Sequence, residues 1–115
     1  MRVLFLYPNA RGMNMLPTAI AIFSSLLKNE GHECRLFDTT YWEIPEEGMF
    51  NSDKFKEEHL HVRPYHKAPI DVMLKKTDVF KEFVEEVEKF NPQLIAMSST
   101  EDMFPLGIKL LSKLK

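Results

Sequence analysis

Five apolar residues, Val3-Leu4-Phe5-Leu6-Tyr7, stand almost at the head of the chain and are closed off by Pro8. The run is too brief for a helix. Its composition suits a strand buried on both faces, the kind that parallel sheets use. A loop from Pro8 to Leu16 follows, containing Asn9, Gly12 and Asn14. Pro17 suits a first helical position, where its missing N–H costs nothing. Thr18–Glu30 opens apolar on nearly every side (Ala19, Ile20, Ala21, Ile22, Phe23) and turns polar at Lys28, Asn29 and Glu30. Gly31 stands where a left-handed cap ends a helix. His32–Phe37 resumes strand character, with Cys34 and Leu36 alternating against Glu33 and Arg35, and Asp38 at its end. Strand, helix and strand with short connections form a right-handed parallel unit in nearly all cases. The Pro8–Leu16 connection is longer than such units need, and a ligand-binding role is expected of it.

The same alternation returns near the other end. Thr77 or Asp78 can cap a helix whose apolar residues Val79, Phe80, Phe83, Val84, Val87 and Phe90 form one stripe. Lys81, Glu82, Glu85, Glu86 and Lys89 occupy the opposite side, a solvated helix face. Asn91-Pro92 stops it. Leu94–Met97 reads as a second wholly apolar strand, and a polar turn, Ser98-Ser99-Thr100-Glu101-Asp102, follows. Pro105 starts a last helix, expected to run to Lys115 with Leu106, Leu110, Leu111 and Leu114 inward. Between these halves, Tyr41–Ile70 is irregular, broken by Pro45, Gly48, Pro64 and Pro69 and rich in aromatics. A stretch of this length reads as an ordered insertion or lid. Asp53–His61 could form a short helix within it.

Three strands alternating with helices predict an α/β, doubly wound parallel sheet of flavodoxin-like (Rossmann-like) topology, truncated to about three strands. With spatial order 2-1-3, ligands belong at the carboxyl ends of strands one and three. That brings Pro8–Leu16 beside Ser98–Asp102, with Asp38 and Thr39 adjacent. The chain's 115 residues allow one domain. A net charge of −2 gives no reason to expect nucleic acid or an anionic membrane as partner. No apolar run approaches the length of a membrane span. The opening run is too short for a signal peptide, so a cytoplasmic protein is expected. One cysteine excludes an internal disulfide and an all-cysteine metal site within the chain. Cys34 itself reads as a small core hydrophobe.

The ordered pieces Y-P-N ending strand one, P-T-A-I-A opening helix one, G-H-E before strand two, F-D-T-T after it and N-P-Q-L-I-A-M-S around strand three carry a resemblance. Together they resemble the N-terminal cobalamin-binding domain of radical-SAM enzymes, over Arg2–Asp38 and Lys76–Lys115. The resemblance implies that residues 1–115 are the incomplete N-terminal part of such a domain. The family's barrel, with its CxxxCxxC motif, 4Fe-4S cluster and S-adenosylmethionine, would lie in polypeptide outside these residues and act as partner. It also implies cofactor contacts at Asn9, Ala10, Arg11, Gly12, Met13 and Asn14, at Asp38 and Thr39, and at Ser98, Ser99, Thr100 and Glu101. Methionine-synthase-type domains carry D-x-H-x-x-G after strand one. Here Gly12 keeps the spacing, but Tyr7 and Asn9 stand for the aspartate and histidine. An amide is a poor cobalt ligand, so a lower face without a histidine is expected.

Plainer readings stand beside these. Ser98, Ser99 and Thr100 could cap the last helix. Asp38 could take a ribose hydroxyl or be a solvated strand end. His59, His61 and His66 have a spacing a metal could use but read as loop histidines, and Met13 and Met15 read as packing. The absence of GxGxxG speaks against an NAD site. Tyr7-Pro8-Asn9 lacks the paired acids of a phosphoacceptor receiver domain. Two other functions stay open: a nucleotide- or sugar-nucleotide-binding half of a transferase, and a non-catalytic α/β interaction domain. A last expectation concerns the strand Leu94–Met97. At a sheet edge, with apolar residues on both faces, it invites pairing with another chain, so residues 1–115 are expected either to belong to a longer folded chain or to associate, as with a second copy, through that edge.

Overall fold

The computed structural model describes residues 1–10, 16–44 and 74–115. Six elements run β1 (Arg2–Tyr7), α1 (Thr18–Asn29), β2 (Glu33–Asp38), α2 (Val79–Phe90), β3 (Leu94–Met97) and α3 (Phe104–Leu111). The three strands form one parallel sheet in the order β2-β1-β3. Val3 stands between Cys34 and Leu94, and Leu6 between Phe37 and Met97. The chain therefore has the small α/β, flavodoxin-like architecture that its strand and helix signals predict.

Alternation along β1 divides the core in two. Val3, Phe5 and Tyr7 face α1, where Ile20 is buried and Leu27, Cys34 and Ala96 pack around them. Leu4 and Leu6 face the other way, against Phe37, Phe83, Phe90, Leu106 and Leu110. So α1 covers one face of the sheet, while α2 and α3 cover the other. Every β1 side chain from Val3 to Tyr7 is 5% exposed or less, as a strand flanked on both edges and both faces requires.

The ends of the elements follow local chemistry. Asp78 caps α2 by accepting from the Phe80 and Lys81 N–H groups at 2.9 and 3.3 Å. Asn91 ends that helix in the left-handed conformation, φ 48°, and its N–H reaches the Val87 carbonyl. Gly31 holds φ 82°, the left-handed turn out of α1 expected at this position. Three boundaries differ from expectation. Pro17 sits just outside α1 with an extended ψ of 134°, because its backbone still belongs to the incoming loop. β2 runs from Glu33 to Asp38, one residue later at each end than expected, since Asp38 still pairs with Tyr7. α3 begins at Phe104 and stops at Leu111, short of Lys115, the chain then turning at Ser112 and Lys113.

Candidate functional site at the carboxyl ends of the strands

Beyond Tyr7 and Asp38 the chain turns polar while still buried. Asn9 and Thr39 are both fully buried. The Asn9 N–H donates to Thr39 Oγ1 at 2.8 Å, and that hydroxyl donates back to the Asn9 carbonyl at 2.7 Å. The Asn9 side chain donates from Nδ2 to Thr40 Oγ1 at 3.0 Å. The Thr40 hydroxyl in turn donates to Asp38 Oδ1 at 2.5 Å, and the Thr40 N–H reaches the same oxygen at 2.9 Å. The last contact is an aspartate bonding the backbone two residues on, the local turn that Asp favours. The Thr39 N–H continues the strand ladder onto the Tyr7 carbonyl. The result is a clasp of buried and part-buried hydrogen bonds that holds the loop after β1 to the loop after β2.

Tyr7 belongs to the same end of the sheet. It is 1% exposed and pairs across the ladder with Asp38. Burial, and secondarily the nearby Asp38 carboxylate, push its phenol above the ordinary value of 10.0. Both causes disfavour phenolate, so Tyr7 is a neutral phenol at physiological pH.

The neighbouring strand end at this rim of the sheet comes from β3. Ser98 continues the ladder, its N–H bonding the Leu6 carbonyl at 3.0 Å. Ser98 and Ser99 are half-buried, while Thr100 and Glu101 are exposed. The Thr100 carbonyl accepts from the Met103 and Phe104 N–H groups. The cap position of α3 is Met103, whose side chain makes no capping hydrogen bond. Gly107 lets α3 settle onto this rim: a Cβ there would collide with the Met97 sulfur and come within 3.0 Å of Pro8 Cγ.

Of the residues expected at the site, Asn9, Asp38 and Thr39 are joined in one network. Ala10 is half-buried beside them, and Ser98–Glu101 lie at the neighbouring strand end. Arg11, Gly12, Met13 and Asn14 lie outside the described residues, as do Met15, Asp53–His61 and the histidines at 59, 61 and 66. Two features escaped sequence reasoning. Thr40 is the hinge of the clasp, and its position two after an aspartate was the available signal. The other is a neck at the two ends of the irregular stretch. Lys75 N–H donates to the Tyr41 carbonyl at 2.7 Å, and Glu43 N–H to the Lys75 carbonyl at 2.8 Å. The Lys75 ammonium lies 4.0 Å from the Trp42 ring centre, and Phe37 stacks on that ring at 5.3 Å.

Cys34 is a free, half-buried thiol on the α1 side of β2. A cavity of about 170 Å³ lies there between α1 and β2, lined mainly by Phe5, Ile20, Ala21 and Leu36. It is apolar and lies on the flank of the sheet, apart from the polar strand ends. Among the described residues, no group of three His, Cys, Asp or Glu side chains is placed to hold a metal ion. Nor is any helix among them long and apolar enough to cross a membrane. Comparison with protein-family models, with curated proteins and with solved structures returns no match for this chain.

Proposed function

We propose that this chain is a cobalamin-binding module that works with a radical-SAM barrel supplied by polypeptide outside these residues. One observation carries the reading: the order β2-β1-β3 opens a switch point where the Ser98–Ser99 turn meets the end of β1. Ser98 and Ser99 present half-buried hydroxyls there, suited to a ligand edged with amides. The resemblance in residue order adds support.

The donor set can be tested against the group. Asn9 fits poorly as a cobalt ligand, being fully buried with its amide nitrogen bonded to Thr40. Its role in this reading is to hold the crevice floor. Ser98 and Ser99 fit as hydrogen-bonding partners for the corrin's peripheral amides. Bound cobalamin would supply methyl-transfer or radical chemistry, while the chain supplies position and exclusion of solvent.

The test is uptake of hydroxocobalamin by the whole chain, read from its visible spectrum after gel filtration. One corrin per chain is expected. Replacing Ser98 and Ser99 together by alanine should weaken uptake roughly 5- to 100-fold, the loss of one or two hydrogen bonds. In the Co(II) form, electron paramagnetic resonance should show no nitrogen splitting from the protein. Retention on a nucleotide resin without corrin uptake would refute the reading.

A further inference from the structure

A space is left between α1 and β2. The helix buries one side chain, Ile20, and the flank it turns toward β2 carries the small residues Ala21 and Ser24. The Ser24 hydroxyl is taken up within its own helix, donating to the Ala21 carbonyl at 3.0 Å. Across from them Cys34 and Leu36 share one face of β2, as alternate residues of a strand do. Larger side chains at 21 and 24 would close this gap. As built, it is a cavity of about 170 Å³ with the buried Phe5 and Ile20 among its walls.

Size and lining suit a benzene-sized body. Apolar cavities of roughly 150 Å³ stay dry and take benzene. Leu16 and Leu36, which border this one, are 46% and 42% exposed, so an occupant would take apolar surface out of water. The charges around the cavity have one sign. Among the described residues no Asp or Glu borders it, whereas Lys28 does. Strand alternation turns Glu33 to the opposite face of the sheet. Arg35 borders the cavity too, but its guanidinium is on that opposite face, 3.0 Å from Glu86 and 4.5 Å from the centre of the Phe90 ring. Lys28 follows Ser24 on the same helix flank, four residues on, and no described carboxylate pairs with it.

We propose that this cavity binds a small monocarboxylate with a benzene-sized apolar body. The body lies against Phe5, Ile20 and Leu36, and the carboxylate meets the Lys28 ammonium. The site is on the flank of the sheet and separate from the Ser98–Ser99 turn. The inference therefore holds whichever ligand that turn takes.

Benzoate titrated into the whole chain, with benzyl alcohol as the neutral analogue, tests it by amide NMR. Benzoate should bind with a dissociation constant in the millimolar range, as suits so small a ligand. It should shift the Ala21, Cys34 and Leu36 amides saturably and slow the reaction of the Cys34 thiol, the only one in the chain, with a disulfide reagent. Benzyl alcohol should shift the same amides with roughly 2- to 5-fold weaker affinity, the difference made by one solvent-exposed ion pair. Lys28→Gln, at an exposed position, should bring benzoate down to the affinity of the alcohol and leave the alcohol unchanged. Ala21→Leu should abolish binding of both while circular dichroism stays the same. Equal binding of the two compounds by the wild-type chain would overturn the inference. So would the absence of saturable shifts at Cys34 and Leu36, or shifts centred instead on Ser98 and Ser99.

Discussion

Thr39 is a small residue with a disproportionate share of the buried polar network. Its one hydroxyl both accepts from the Asn9 N–H and donates to the Asn9 carbonyl, and both residues are fully buried. Thr39→Val keeps the shape but leaves two backbone groups of Asn9 without that partner. A destabilisation of about 1–3 kcal/mol is expected from urea denaturation, since buried unsatisfied groups carry their full desolvation cost. Thr39→Ser, which keeps the hydroxyl, should lose less. Tyr7 sets an alkaline limit. Its pKa in the folded chain lies above the ordinary 10.0, first through burial and then through Asp38. Above pH 10.0 the unfolded chain releases this proton while the folded chain retains it, so stability falls as pH rises from there toward the folded value. Thermal unfolding followed from pH 8 to 11 should show this loss, and Tyr7→Phe should reduce it.

At the level of elements, α1 and α2 owe their stability to different things. α2 is amphipathic, capped by Asp78, and carries Glu82 in its first turn and Lys89 in its last, each charge matching the helix dipole. Asp78→Ala should cost about 1 kcal/mol in a thermal melt, the usual loss of an N-cap. A larger loss would mean that Asp78 does more than cap. By contrast, α1 has no side-chain cap and no acidic residue in its first turn. Its apolar residues run almost all round, and only Ile20 is buried. That is why sequence reading found α1 but could not tell which side it packs. α3 was overextended for a related reason. Leu106, Leu110, Leu111 and Leu114 keep helical spacing, yet the hydrogen-bonded helix stops at Leu111, and half-buried Leu114 still packs against the core from the turn beyond.

Across the whole molecule, long-range contacts decide what local patterns cannot. Trp42 is 8% exposed, lies between Phe37 and the Lys75 ammonium, and sits where the irregular stretch leaves the core. Trp42→Ala should destabilise the chain by about 3–5 kcal/mol in guanidinium unfolding, through the cavity left behind. A loss below 1 kcal/mol would show that the neck is dispensable. The sequence by itself determined the strands, the helices and their alternation, because side-chain periodicity, Asp78, Gly31 and Asn91 act over a few residues. The order β2-β1-β3 was the expected one only as the common arrangement of a small doubly wound sheet, and the structure settles it. Only the tertiary structure decided that Asn9 and Thr39 bond each other. They are 30 residues apart, and nothing in either neighbourhood identifies the partner. It alone decided the neck between Tyr41–Glu43 and Lys75. Those features depend on how elements are placed in space, and a period of 3.6 or 2 residues carries no information about that placement.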